Sequence, residues 1–282
     1  IKCMNVNINY IENADASVYL KNIPDNFIDL TITSPPYDKI RSYKGRINND
    51  VYDDYYSFPF VTIANELYRV TKDGGIVVWV VNDQTIDGSE SGNSFRQALK
   101  FIEIGFKLHD TMIYQKNSST YPASRKSNRY TQIFEYMFVF SKGKPKTHNL
   151  IADKKNKWAG HTNWGKNTKR KYDEELSVIE KIKPVPEHSV RNNIWTYNNG
   201  GGFATKDKIA HKHPAIFCEQ LALDHILSWS NEGDVILDPM CGSGTTCKMA
   251  KLNNRNFIGI EVNKEYYDIA NSRIFNDLSI SK

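Results

Sequence analysis

Apolar positions along the chain follow two rhythms, short solid runs and stripes at helical spacing. Ile28 to Thr33 (IDLTIT) is a β-rich run that stops at Ser-Pro-Pro, because proline cannot continue a ladder. Phe60 to Val70 puts Ile63, Leu67 and Val70 on one helical face. Asp73-Gly74-Gly75 reads as a turn, and Ile76 to Val81 (IVVWVV) as a buried strand with Trp79 in the core. Ser94 to Ile102 predicts a helix, and Leu108 to Tyr114 and Phe134 to Phe140 predict two further strands. Pro214 to Ser230 reads as a long helix with proline near its start. A strand over Val235 to Asp238, a helix over Thr245 to Leu252, a strand over Phe257 to Glu261 and a helix over Lys264 to Phe275 complete the pattern. Strands alternate with helices at both ends of the chain. The expected fold class is therefore α/β, a mostly parallel sheet with helices on both faces. The segment 141–205 has little periodicity and much Gly and Asn, so it reads as an insertion between two halves of one core, 1–140 and 206–282.

Composition changes this picture in one place. The 282 residues carry 37 basic and 32 acidic side chains and a net charge of +5. From Lys142 to Lys171 there are ten Lys or Arg and one acid, Asp153, so the remainder of the chain is net acidic. Trp158 and Trp164 lie in the same window. Cations for phosphates and flat rings for bases are what a nucleic-acid surface needs. Lys154, Lys155 and Lys157 are the candidates there, with Arg125, Lys126 and Arg129 in a second basic stretch. No run approaches the ~18 apolar residues of a membrane span, and no leader opens the sequence, so a cytoplasmic protein is expected. Cys3, Cys218, Cys241 and Cys247 form no CxxC pair, which argues against a disulfide scaffold or zinc ribbon. His211 and His213 alone are too few for a metal site, and none is expected.

A cofactor signal lies near the end. Asp238-Pro239-Met-Cys-Gly242-Ser243-Gly244-Thr245 follows an apolar strand and opens a helix, and Glu261 ends the next strand 17 residues after Gly244. Such an acid commonly grips the hydroxyls of a ribose. Cys247 stands where a dinucleotide fingerprint needs Gly or Ala, and no GxxxxGK phosphate loop occurs. What remains is an adenosine cofactor without phosphates to cradle, and S-adenosyl-L-methionine fits.

Ser34-Pro35-Pro36-Tyr37 caps the early strand, where ligand sites of parallel sheets lie. Here the chain resembles the amino-methylating DNA methyltransferases, which modify exocyclic nitrogens of adenine or cytosine. Ser34 to Tyr37 is similar to that family's catalytic tetrapeptide, and Asp238 to Thr246 to its methionine-binding loop. His213-Pro214-Ala215 through Glu219-Gln220-Leu221 resembles its other cofactor segment, with Phe217 among the binding residues. The order, catalytic motif first and cofactor loop last, corresponds to the β group, in which target recognition lies between them. The resemblance implies a Rossmann-like methyltransferase fold with circularly permuted motif order. It also implies cofactor contacts at Thr33 and at Asp15, although Ala14 stands where relatives often carry Gly. Ser at the first motif position implies cytosine N4 as the acceptor, with adenine N6 the alternative. Double-stranded DNA as partner, a place beside a cognate restriction endonuclease, and homodimers are likewise what the resemblance implies.

The chemistry suits those residues. An exocyclic amine is a poor nucleophile, so acceptors must hold its N–H groups and stabilise the charge that develops on transfer. Ser34 Oγ and the Pro35 carbonyl can accept, consecutive prolines stiffen them in place, and Tyr37 can stack on a base flipped from the duplex. Three rivals share parts of the pattern. An RNA or protein amide methyltransferase usually carries the motifs in the opposite order. A DNA-binding protein that has lost catalysis should have lost Ser34, Tyr37 or the Gly loop. A nicotinamide enzyme is disfavoured by Cys247 and the basic insert.

Overall fold

The computed structural model describes residues 7–36, 56–117, 126–162, 167–170, 176–179, 183–198 and 202–275. Tyr37, Arg125 and Trp164 lie outside them. The chain divides into two compact units, one formed by Ile1–Asn149 with Asn193–Lys282, the other by Leu150–Asn192.

The larger unit is built on an eight-stranded sheet. In chain order its strands are β1 (Tyr10–Glu12), β2 (Ile28–Thr33), β3 (Thr71–Val81), β4 (Lys107–Lys116), β5 (Phe134–Ser141), β6 (Ile194–Tyr197), β7 (Val235–Asp238) and β8 (Asn256–Ile260). Across the sheet the order is β1-β8-β7-β2-β3-β5-β4-β6. Neighbours from β1 to β3 are parallel, β5 runs antiparallel to both β3 and β4, and β6 is parallel to β4. The expected mostly parallel α/β sheet is therefore present.

The helices are α1 (Ala16–Tyr19), α2 (Phe60–Val70), α3 (Asn93–Ile104), α4 (Glu219–Trp229), α5 (Thr245–Leu252) and α6 (Lys264–Phe275). Phe60, Ile63, Ala64 and Leu67 of α2 and Phe101 of α3 cluster with Val77, Trp79, Val81 and Phe140 on one face of the sheet. Trp79 is fully buried there, its indole N–H donating to Gln97 Oε1 at 2.7 Å. Side chains alternate across a strand, so Met137 faces the other way, where its sulfur meets His225 Nε2 of α4 at 3.2 Å.

Four expectations are corrected. The Asp73-Gly74-Gly75 turn is absorbed into β3, which pairs with β2 across a bulge; Gly74, at φ +80°, supplies the distortion. The long helix begins at Glu219 rather than Pro214, because the His213 ring folds onto Ala215 and Cys218 remains extended. The 141–205 insertion is narrower: the separate unit is Leu150–Asn192, and residues on either side join the core. Trp195 of β6 packs on His225 at 4.7 Å between ring centroids, and the Tyr197 hydroxyl donates to Asp224 at 2.7 Å. Finally, β8 stops at Ile260, leaving Glu261 as the first residue beyond it.

The Leu150–Asn192 unit pairs Lys154–Lys155 with His188–Ser189 and Asn167–Arg170 with Leu176–Ile179, both antiparallel. Among the described residues no helix is long and apolar enough to cross a membrane.

Candidate active site

The site forms where β2, β7 and β8 end. Strands β2 and β7 are parallel neighbours, with Ile236 opposite Leu30 and Leu237 opposite Thr31, so the Ser34 turn and the loop after Asp238 leave the same edge. One bond ties them: Thr33 Oγ1 donates to Asp238 Oδ1 at 2.8 Å across 205 residues of sequence. Thr33 is wholly buried, and its hydroxyl is engaged in this bond. Pro35 is buried, and Ser34 and Pro36 are half-buried just beyond the strand.

The loop that follows is shaped around two carboxylates. Asp238 also accepts from the Met240 amide at 3.2 Å, and burial raises its pKa to about 6. Glu261 accepts from the Gly242 amide at 2.8 Å through one oxygen and from the Asn263 amide at 2.8 Å through the other. Burial raises its pKa to about 7 despite those amides. Gly242, at φ +52°, lies beneath His213, and a Cβ added there would come within 2.9 Å of His213 Nε2. The His213 ring is held by Ala215, whose carbonyl lies 2.8 Å and whose amide lies 3.1 Å from Nδ1, and by an edge contact with Tyr266 at 4.4 Å. Pro239 is buried at the loop's start, and Phe217 is half-buried beyond His213.

Three expected cofactor residues have partners within the protein. Ser243 and Thr245 turn their hydroxyls toward Arg273 of α6, at 3.1 Å each. Asp15 caps α1, its Oδ1 accepting from the Ser17 amide at 2.7 Å and hydroxyl at 2.6 Å. Asn13 of the same turn donates to the Glu261 carbonyl at 2.8 Å, which brings the Asp15 turn beside β8. Sequence reasoning missed Arg273, its partners Thr205 and Asp207, and Lys248, which binds Asp207 in turn; Glu219, the remaining partner, was read only as part of the cofactor segment. The signal was present: Arg273 interrupts an apolar stripe of Tyr266, Ile269, Ala270 and Ile274, all buried.

The basic candidates divide between the units. Lys126 and Arg129 are exposed on the larger one. Lys154, Lys155, Lys157 and Trp158 are exposed on the Leu150–Asn192 unit, with Lys157 Nζ 5.5 Å from the Trp158 ring centre. Asp153, the acid of that window, is bound by Arg191 at 2.6–2.9 Å, which holds its carboxyl below the usual range.

These residues fit S-adenosyl-L-methionine. An ionised carboxylate offers roughly four acceptor sites, so Glu261 retains capacity for ribose hydroxyls beyond its amide partners. Gly242 packs so closely beneath His213 that a Cβ would clash with the ring, so only glycine fits that turn of the loop. Fold and site together define a methyltransferase core.

Comparison with known proteins gives the family. Residues 28–272 match the N6/N4 methyltransferase family, described as DNA methylase. The chain belongs to it, as an S-adenosyl-L-methionine-dependent DNA methyltransferase. It is 58% identical over 262 residues to the orphan methyltransferase M.BamHII of Bacillus amyloliquefaciens, covering 93% of this chain and 94% of that one. Its fold is similar to that of the PvuII cytosine-N4-specific DNA methyltransferase, with TM-score 0.69, 20% identity and coverage of 98% and 92%. It is also similar to TTHA0409 of Thermus thermophilus complexed with S-adenosyl-L-methionine, with TM-score 0.61, 21% identity and coverage of 96% and 97%.

Cofactor affinity should depend on pH through Glu261. With Glu261 as the expected ribose ligand, its ionised form would accept from ribose hydroxyls, so binding should strengthen as pH rises through about 7 and level off above. Titrating S-adenosylhomocysteine into the protein between roughly pH 5.5 and 8.5 reads this. In Glu261→Gln the step near neutrality should vanish and affinity stay low throughout; an unchanged step would place the titrating group elsewhere.

Proposed function

We propose that this methyltransferase modifies the exocyclic N4 of cytosine at a specific site in double-stranded DNA, with adenine N6 the alternative acceptor. The observation that carries the reading is the Thr33–Asp238 bond, which joins the Ser34-Pro35-Pro36 turn to the cofactor loop. When bound, the cofactor supplies an electrophilic methyl group on its sulfonium. Ser34 Oγ and the Pro35 carbonyl take the amine N–H groups as acceptors, aiming the nitrogen lone pair and stabilising the charge that grows on it. Proline has no backbone donor to compete for that carbonyl. Tyr37 stacks on the flipped base, whose extrusion costs a few kcal/mol, offset by stacking and phosphate contacts.

Cytosine is favoured by Ser34, since relatives with Ser at this position mostly modify N4. The structural neighbour named cytosine-N4-specific supports the same choice. Methylation of mixed-sequence duplex DNA, digested to nucleosides and read by mass spectrometry, tests it. N4-methylcytosine is expected; N6-methyladenine would keep the mechanism and overturn the base.

The Leu150–Asn192 unit would read the site, with help from Lys126 and Arg129. The resemblance to a methyltransferase named as an orphan supports a modification enzyme of the restriction–modification kind without supplying a nuclease. Replacing Lys154 and Lys155 together by Ala should weaken DNA binding and lower the slope of log affinity against log salt by about 2. A slope equal to the wild type's would remove both lysines from the interface.

A further inference from the structure

We propose that Arg273 is a positioning residue for the cofactor loop, acting through Ser243 and Thr245. The inference rests on reading 242–245 as that loop. The Arg273 side chain is wholly buried, and each part of its fork is engaged. Nε donates to Asp207 at 3.0 Å. One terminal nitrogen donates to the Ser243 carbonyl at 2.5 Å and to the Ser243 and Thr245 hydroxyls at 3.1 Å. The other donates to Glu219 at 2.9 Å and Thr205 at 3.4 Å. Lys248 closes the group, 2.6 Å from Asp207 and 3.1 Å from Glu219, so two cations face two carboxylates. Burial pushes the Asp207 carboxyl up, but Lys248 and Arg273 outweigh it and hold it below the usual range.

Such a cluster is a poor source of stability, because desolvating its charges costs several kcal/mol per ion and apolar replacements often do as well. What it supplies is geometry. A guanidinium is planar and rigid, so acceptors that bind it are fixed relative to one another. Here those acceptors come from the two segments that frame the cofactor. Thr205 and Asp207 lead into His213, Glu219 follows Phe217, and Ser243 and Thr245 flank Gly244. Arg273 thereby sets the spacing between the Gly242 turn and the His213 ring above it, without facing the ligand itself.

Arg273→Lys keeps the charge and loses the fork. We expect the dissociation constant for S-adenosylhomocysteine and the KM for S-adenosyl-L-methionine to rise roughly tenfold or more, equal to ~1.4 kcal/mol. Turnover at saturating cofactor and DNA affinity without cofactor should stay near wild type, while the Tm of the ligand-free protein falls because lysine leaves buried acceptors of the cluster unpaired. Should Arg273→Lys fail to fold, Thr245→Val removes one acceptor and should raise the same two constants by a smaller factor. The proposal is overturned if both variants bind the homocysteine as wild type does. It is equally overturned if affinities for cofactor and DNA fall together in step with Tm, which marks a merely structural cluster. Failure of the wild-type protein to bind S-adenosylhomocysteine would instead remove the cofactor reading itself.

Discussion

Ser34→Ala should lower turnover by about 10²–10³-fold while leaving cofactor affinity at the wild-type level. That is the usual consequence of deleting one acceptor or donor aimed at charge that develops in a transition state. The separation of the two effects follows from adjacent residues. Thr33 is buried and bonded to Asp238, so it carries the link to the cofactor loop. Ser34, one position on, is half-buried at the strand's end. Removing its hydroxyl leaves the Pro35 carbonyl, the two prolines and the Thr33–Asp238 bond in place. Single-turnover methylation and calorimetric titration with S-adenosylhomocysteine read the two quantities independently. Loss of cofactor affinity alongside turnover would mean that Ser34 belongs to the cofactor pocket. Unchanged turnover would mean that the amine is held elsewhere.

Where the chain repeats a simple pattern, sequence and structure coincide. IDLTIT, VILD and the helices Phe60–Val70, Thr245–Leu252 and Lys264–Phe275 fall where apolar spacing places them. Periodicity loses its force in short or cross-linked segments. β1 has three residues and β6 four, too few for a pattern; β6 exists because Trp195 and Tyr197 dock on α4 and because it pairs with β4. The residues before Glu219 look helical by spacing, but the His213 ring binds Ala215 and Cys218 stays extended, a local arrangement that no apolar pattern encodes. At the site, motif chemistry placed Asp238, Gly242 and Glu261 where parallel strands end, and that is where they lie. It did not show that the Ser243 and Thr245 hydroxyls turn inward, because their partner, Arg273, lies 28 to 30 residues away on another helix. Long-range polar pairings of this kind depend on a register that forms only once the sheet is assembled.

Gly242→Ala should weaken S-adenosylhomocysteine binding by roughly 30-fold or more, equal to ~2 kcal/mol, and leave DNA binding without cofactor unchanged. Two costs add. Gly242 sits at φ +52°, in the left-handed region that costs an L-residue about 1–2 kcal/mol. The new Cβ would also meet His213 Nε2 at 2.9 Å, and that ring is not at liberty to swing, being held at Ala215 and against Tyr266. The strain is therefore relieved by shifting the 241–243 backbone, which pulls the Gly242 amide from the Glu261 carboxylate it now meets at 2.8 Å. Glu261 then loses one of the bonds that orient its carboxylate. The steric part can be separated from the backbone part by adding His213→Ala to Gly242→Ala. If the clash dominates, the double variant binds more tightly than Gly242→Ala alone; if the backbone dominates, it binds no better. Either result keeps the loop as the cofactor cradle, whereas a Gly242→Ala protein that binds S-adenosylhomocysteine like the wild type would take the cradle away from this loop altogether.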